Sequence, residues 1–103
     1  MAYKILIADD EAEIRELLRL YLEKDGYEVF EAADGIEALA LLKQKKIDLA
    51  VLDIMMPGPD GYRVLHNIRE NSNIPVMILS AKSSDSDKIL GLDLGADDYI
   101  TKP

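Results

Sequence analysis

Cysteine is absent from the 103 residues, which excludes disulfides, thiolate nucleophiles and cysteine-bound zinc. A single histidine, His66, rules out a histidine-rich metal site. No apolar run approaches the roughly 20 residues of a transmembrane helix. The opening "MAYKILIADD" ends in two aspartates and lacks the pattern of a secretory signal. A cytoplasmic protein with no membrane partner is expected. Basic residues are also scarce: 12 Lys and Arg stand against 20 Asp and Glu, for a net charge of −8. Affinity for a phosphate backbone comes from Lys and Arg, so no direct nucleic-acid contact is expected. The acidic surplus suits a cation or a basic partner surface.

The hydrophobic share, 49%, and the length are sufficient for one domain with a modest core. Five short apolar runs, at 3–8, 27–32, 49–53, 76–80 and 99–101, alternate with helix-like segments. The first, third and fourth are nearly continuous in aliphatic residues, as strands covered on both faces are. The second, "YEVFEA", alternates and reads as an edge strand. Ile14, Leu17, Leu18, Tyr21 and Leu22 follow helical spacing and predict an amphipathic helix over 11–24 that ends near Gly26. Asp34 with Glu37 predicts a capping box opening a second helix with Ile36, Leu39 and Ala40 inward. Val64, Leu65 and Ile68 mark a third helix. Ser84 with Asp87 caps a fourth, weakened by about 1 kcal/mol by Gly91 in its interior. This alternation predicts right-handed βαβ units in an α/β, doubly wound five-stranded parallel sheet. A fifth helix is expected to cover one face, and the sequence stops before it, at Lys102-Pro103.

Ligands of such sheets bind beyond the C-terminal strand ends. Asp9 and Asp10 follow the first strand, Asp53 ends the third, Ser80 ends the fourth and Lys102 follows the fifth. Clustered carboxylates repel unless a cation intervenes, and Mg2+ accepts one or two of them together with waters and a phosphate. Carboxylate nucleophile, Mg2+, lysine and hydroxyl together suit phosphoryl transfer to an aspartate. Taken singly, Asp9-Asp10 reads as a helix cap, Asp53 as a turn former and Lys102 as solvated. Their conjunction at four strand ends overturns those readings. His66 and the Lys43, Lys45 and Lys46 cluster remain plain surface.

The segments "ILIADDE" (5–11), "AADGIEAL" (32–39), "DLAVLDIMMPGPDGYRVL" (48–65), "IPVMILSAK" (74–82) and "GLDLGADDYITKP" (91–103) carry a resemblance. Over its whole length, 1–103, the chain resembles the receiver domain of bacterial response regulators, cut short after the fifth strand. It looks most like the subfamily whose output is a winged-helix DNA-binding domain. The resemblance implies the flavodoxin-like strand order 2-1-3-4-5. It implies that Asp53 accepts a phosphoryl group from a sensor histidine kinase. Asp10, Asp53 and the Met55 carbonyl would hold Mg2+, with Asp9 acting through water. Lys102 and Ser80 would bind the phosphate, and Ser80 with Tyr99 would form the switch. Pro103 would follow a cis peptide. Kinase contacts would fall on Ile14, Arg15, Leu18 and Pro59, and the apolar side chain of Met55, flanking the phosphate with Lys82 near the same approach, would slow self-dephosphorylation. Pro59 departs from the apolar residue usual there. Lys88, Asp97 and Asp98 match a dimer face whose partners lie on the fifth helix; without that helix apolar sheet surface is uncovered, so lowered stability and self-association are expected.

Two rivals fit the chemistry less well. An aspartyl phosphatase needs an acid-base group where Met55 stands. A flavin site needs a phosphate cradle where "ADDEAE" is acidic and free of glycine.

Overall fold

The computed structural model describes residues 2–81, 92 and 94–102. Its elements are β1 (Lys4–Ala8), α1 (Ala12–Lys24), β2 (Glu28–Ala32), α2 (Gly35–Gln44), β3 (Leu49–Asp53), α3 (Gly61–Asn71), β4 (Val76–Ser80) and β5 (Asp98–Thr101). All strand pairs are parallel, in the order β2-β1-β3-β4-β5. The expected flavodoxin-like sheet is therefore present, with β2 at one edge. The segment assigned to a fourth helix, with Ser84, Asp87 and Gly91, lies outside the described residues, as do Lys82, Lys88 and Pro103. Among the described residues no helix is long and apolar enough to cross a membrane.

The continuous apolar run of β1 is explained by its two covered faces. Leu6 and Ala8 point to one side of β1, into a core shared with Leu52, Ile78, Ala38, Val64, Leu65 and Ile68. Ile5 and Ile7 point to the other, where Val29 and α1 residues Leu18 and Leu22 meet them. Complete burial of side chains such as Leu6 and Ile78 contributes about 1.5–3 kcal/mol each. On the α1 side, beyond that helix, an apolar groove of about 520 Å³ is lined by Tyr3, Tyr21, Met77, Leu79 and Ile100.

Local rules account for the helix ends. The N–H of Tyr27 donates to Leu22 O and that of Gly26 to Glu23 O, and Gly26 takes φ 91°. This Schellman closure needs a residue without Cβ strain. The N–H of Glu37 donates to Asp34 Oδ1 at 2.8 Å and Glu37 Oε1 accepts from the N–H of Ala33, so the predicted capping pair forms. The predicted inward faces need correction. Leu17, Tyr21 and Ile36 are exposed, and so is Ala40. The helix α1 packs its Leu18–Leu22 line against the sheet, and α2 turns Gly35 and Ala38 inward to approach closely.

Asp97, assigned from the resemblance to a dimer face, directly precedes β5 and keeps a 58% exposed side chain. Its Oδ2 accepts from the N–H of Val76 at 2.7 Å and from Arg69 Nη2 at 3.0 Å. Arg69 also donates to Gly95 O at 2.9 Å and Ile74 O at 2.7 Å, tying α3 to the entrances of β4 and β5. Charge-assisted bonds of this kind are worth about 1.5–3 kcal/mol. Arg69→Ala is expected to cost about 2 kcal/mol, read as a lower urea midpoint.

Candidate functional site

Parallel register carries the polar residues to one edge. Ala8 pairs with Ala32 and Leu52, Asp53 with Leu79, and Ser80 with Thr101, so the next residues emerge side by side. Asp9, Asp53 and Ser80 are buried. The N–H of Lys102 donates to Ser80 O at 2.7 Å, which extends the β4–β5 ladder and aims the lysine back over the edge.

Lys102 Nζ sits among carboxylates: 2.8 Å from Glu11 Oε1, 2.9 Å from Asp9 Oδ2 and 3.2 Å from Asp53 Oδ2. Asp9 Oδ1 accepts from the N–H of Glu11 at 2.8 Å, and Asp53 Oδ1 from the N–H of Met55 at 3.2 Å. Among the described residues Asp9 Oδ2 has the ion-pair contact with Lys102 and no aligned hydrogen bond, although it is buried. Arg15 Nη1 donates to the Asp9 carbonyl at 2.6 Å and its Nε to Glu31 at 3.1 Å, bracing the loop from α1.

Burial pushes the Asp53 carboxyl up to about 6, with the nearby Asp9 charge adding to the rise. The N–H of Met55 and the Lys102 ammonium oppose it. The Lys102 ammonium is held well above its usual range: burial works against it, and Glu11, Asp9 and Asp53 more than offset that.

Single carboxylate oxygens of Asp9, Asp10 and Asp53 lie within 4.8 Å of one another, with Asp10 exposed. This all-oxygen donor set, together with the under-bonded Asp9 Oδ2, fits a small hard dication. Met55 is 58% exposed, so its side chain stands at the mouth of the site. Tyr99 is packed in the core beneath β4 and β5, paired with Ile78. Asp98 is exposed, and its Oδ1 accepts from the N–H of Tyr99.

The structure thus brings together Asp9, Asp10, Asp53 and Lys102 and leaves Asp97 at the far end of β5. Glu11, which pairs with Lys102 across 91 positions, was not singled out in the sequence. Its only signal there is its place directly after Asp9-Asp10.

The family model for the response regulator receiver domain matches residues 5–103. Response regulator GtcR of Aneurinibacillus migulanus is 54% identical over 103 residues. That similarity covers 100% of this chain and 43% of GtcR, so the chain spans less than half of that relative. The receiver domain of Francisella response regulator 1452 superposes with a TM-score of 0.93 at 44% identity, covering 98% of this chain and 84% of its own. TrrA of Thermotoga maritima, solved in complex with Mg2+ and beryllofluoride, gives 0.86 at 40% identity, covering 98% and 87%.

Proposed function

Because the chain belongs to the response regulator receiver domain family, we propose that it is a signalling module whose phosphoacceptor is Asp53. The observation that carries this reading is a buried Asp53 carboxylate 3.2 Å from Lys102 Nζ, beside two further aspartates. An Asp53 oxygen attacks phosphorus, and the bond to the donor breaks in line. The donor is a phosphohistidine of a sensor kinase or a small acyl phosphate, and its leaving group keeps the bonding electrons. Lys102 gives the transferred oxygens a charge-assisted hydrogen bond, and Ser80 supplies a hydroxyl at the neighbouring strand end.

Asp9, Asp10 and Asp53, with the carbonyl of Met55, would hold Mg2+, which when bound neutralises charge on the phosphoryl oxygens. The protein catalyses its own phosphorylation and acts on no released substrate.

A phosphoryl group adds roughly −1.5 to −2 of charge at neutral pH. Ser80 moves toward it and Tyr99 repacks, shifting the β4–β5 face toward a second state that controls an output such as transcription. A shift from mostly off to mostly on requires about 5.5 kcal/mol of differential stabilisation.

Intact mass after incubation with acetyl phosphate and Mg2+ tests the reading. One added phosphoryl group is expected, with incorporation at least about tenfold lower in excess EDTA, because the acidic cluster then repels the donor. Metal-independent incorporation at the same rate would contradict the assignment.

A further inference from the structure

We propose that Glu11 is a positioning residue for Lys102: it keeps the ammonium at the site when Asp9, Asp10 and Asp53 are given over to a divalent cation. The proposal rests on the phosphoacceptor reading above and adds a residue to it.

Three N–H bonds are all that an ammonium has, and Lys102 spends them on three carboxylates, with the Glu11 contact the shortest at 2.8 Å. Two of those partners, Asp9 and Asp53, also belong to the oxygen cluster suited to a dication. An ammonium and a dication on the same buried pair repel each other strongly in a medium of low dielectric. Four carboxylates, Asp9, Asp10, Glu11 and Asp53, face the two cations. Among the described residues, Glu11 is the carboxylate that lies outside the cation cluster yet within reach of Lys102.

Its reach is set by the backbone. The N–H of Glu11 is bound to Asp9 Oδ1, and its carbonyl accepts from the N–H of Arg15 in the first turn of α1. Its side chain is 58% exposed, so the pair can loosen into water when a phosphoryl oxygen competes for the lysine. Without Glu11, the carboxylates left to Lys102 among the described residues are those that the dication needs.

The test is a double-mutant cycle on the Mg2+ dissociation constant, measured by calorimetry for the unaltered protein, Glu11→Gln, Lys102→Gln and the double variant. Native-like amide spectra would establish that each is folded. Glu11→Gln is expected to weaken Mg2+ binding about three- to fivefold, the strength of one partly screened pair. Lys102→Gln is expected to tighten it. In the Lys102→Gln background the Glu11→Gln loss should shrink below about twofold, the residue of long-range attraction.

An equal loss in both backgrounds would mean that Glu11 acts on the cation itself, and would overturn the proposal. So would no loss in either. Both outcomes leave Asp53 as phosphoacceptor. Failure of the unaltered protein to bind Mg2+ would overturn the proposal and the parent reading together.

Discussion

Asp53→Asn is expected to take up no phosphoryl group from acetyl phosphate under conditions in which the unaltered chain gains one, and without metal to be the more stable of the two. The first effect follows from chemistry, since an amide oxygen is no nucleophile toward phosphorus and its phosphorylated form would not persist. Intact mass reads it directly. Uptake of the group by the variant would move the acceptor elsewhere.

The second effect follows from burial. The Asp53 carboxyl is raised to about 6, so the folded chain holds this proton more tightly than the unfolded chain. The stability it contributes is fully present below the ordinary carboxyl value near 4, and it is lost as pH rises through about 6. At pH 7 and above the charged side chain therefore costs on the order of 1–3 kcal/mol that an amide does not. Urea unfolding in EDTA should show the variant and the parent converging below pH 4 and separating up to about pH 6. A constant difference across that range would show that Asp53 is not held in its protonated form.

Gly61→Ala is expected to be strongly damaging for a single added methyl group. Gly61 opens α3 directly behind Asp53, and its N–H donates to Ile54 O at 3.0 Å. A Cβ there would run into the Asp53 carbonyl oxygen and lie 2.8 Å from Ile54 Cα. Those are backbone atoms, which cannot rotate away, so either α3 or the end of β3 must shift. The cost is about 3 kcal/mol or more, and the group displaced is Asp53 itself, so the rate of phosphorylation should fall as well.

Gly26→Ala provides the contrast. Nothing lies within 4 Å of a Cβ at that position, and the penalty is the conformational one alone, about 1 kcal/mol for φ 91°. Urea midpoints of the two variants rank the two causes. Equal losses would mean that the close approach behind Asp53 is not tight.

Much of this molecule could be read from the sequence because it is written locally. Unbroken aliphatic runs over 49–53 and 76–80 mark inner strands of a parallel sheet, and the capping pair of Asp34 and Glu37 and the glycine after α1 act within a few residues. A chain that alternates in this way must place its strand-end residues on one edge, so Asp9, Asp10, Asp53 and Lys102 were identifiable as one site. Their roles, and the order of the strands, came from resemblance.

Three-dimensional packing decided the rest. Periodicity marks a helix face but not how much of it the sheet can cover, which is why Leu17, Tyr21 and Ile36 are exposed. Asp97 carries the same charge in any arrangement, yet it is drawn into the Arg69 latch by the junction of β4 and β5. The raised Asp53 carboxyl, the backbone against Gly61 and the pairing of Glu11 with Lys102 all join groups far apart in the chain. Desolvation and close contact depend on what the fold brings near, and no local pattern of residues encodes that.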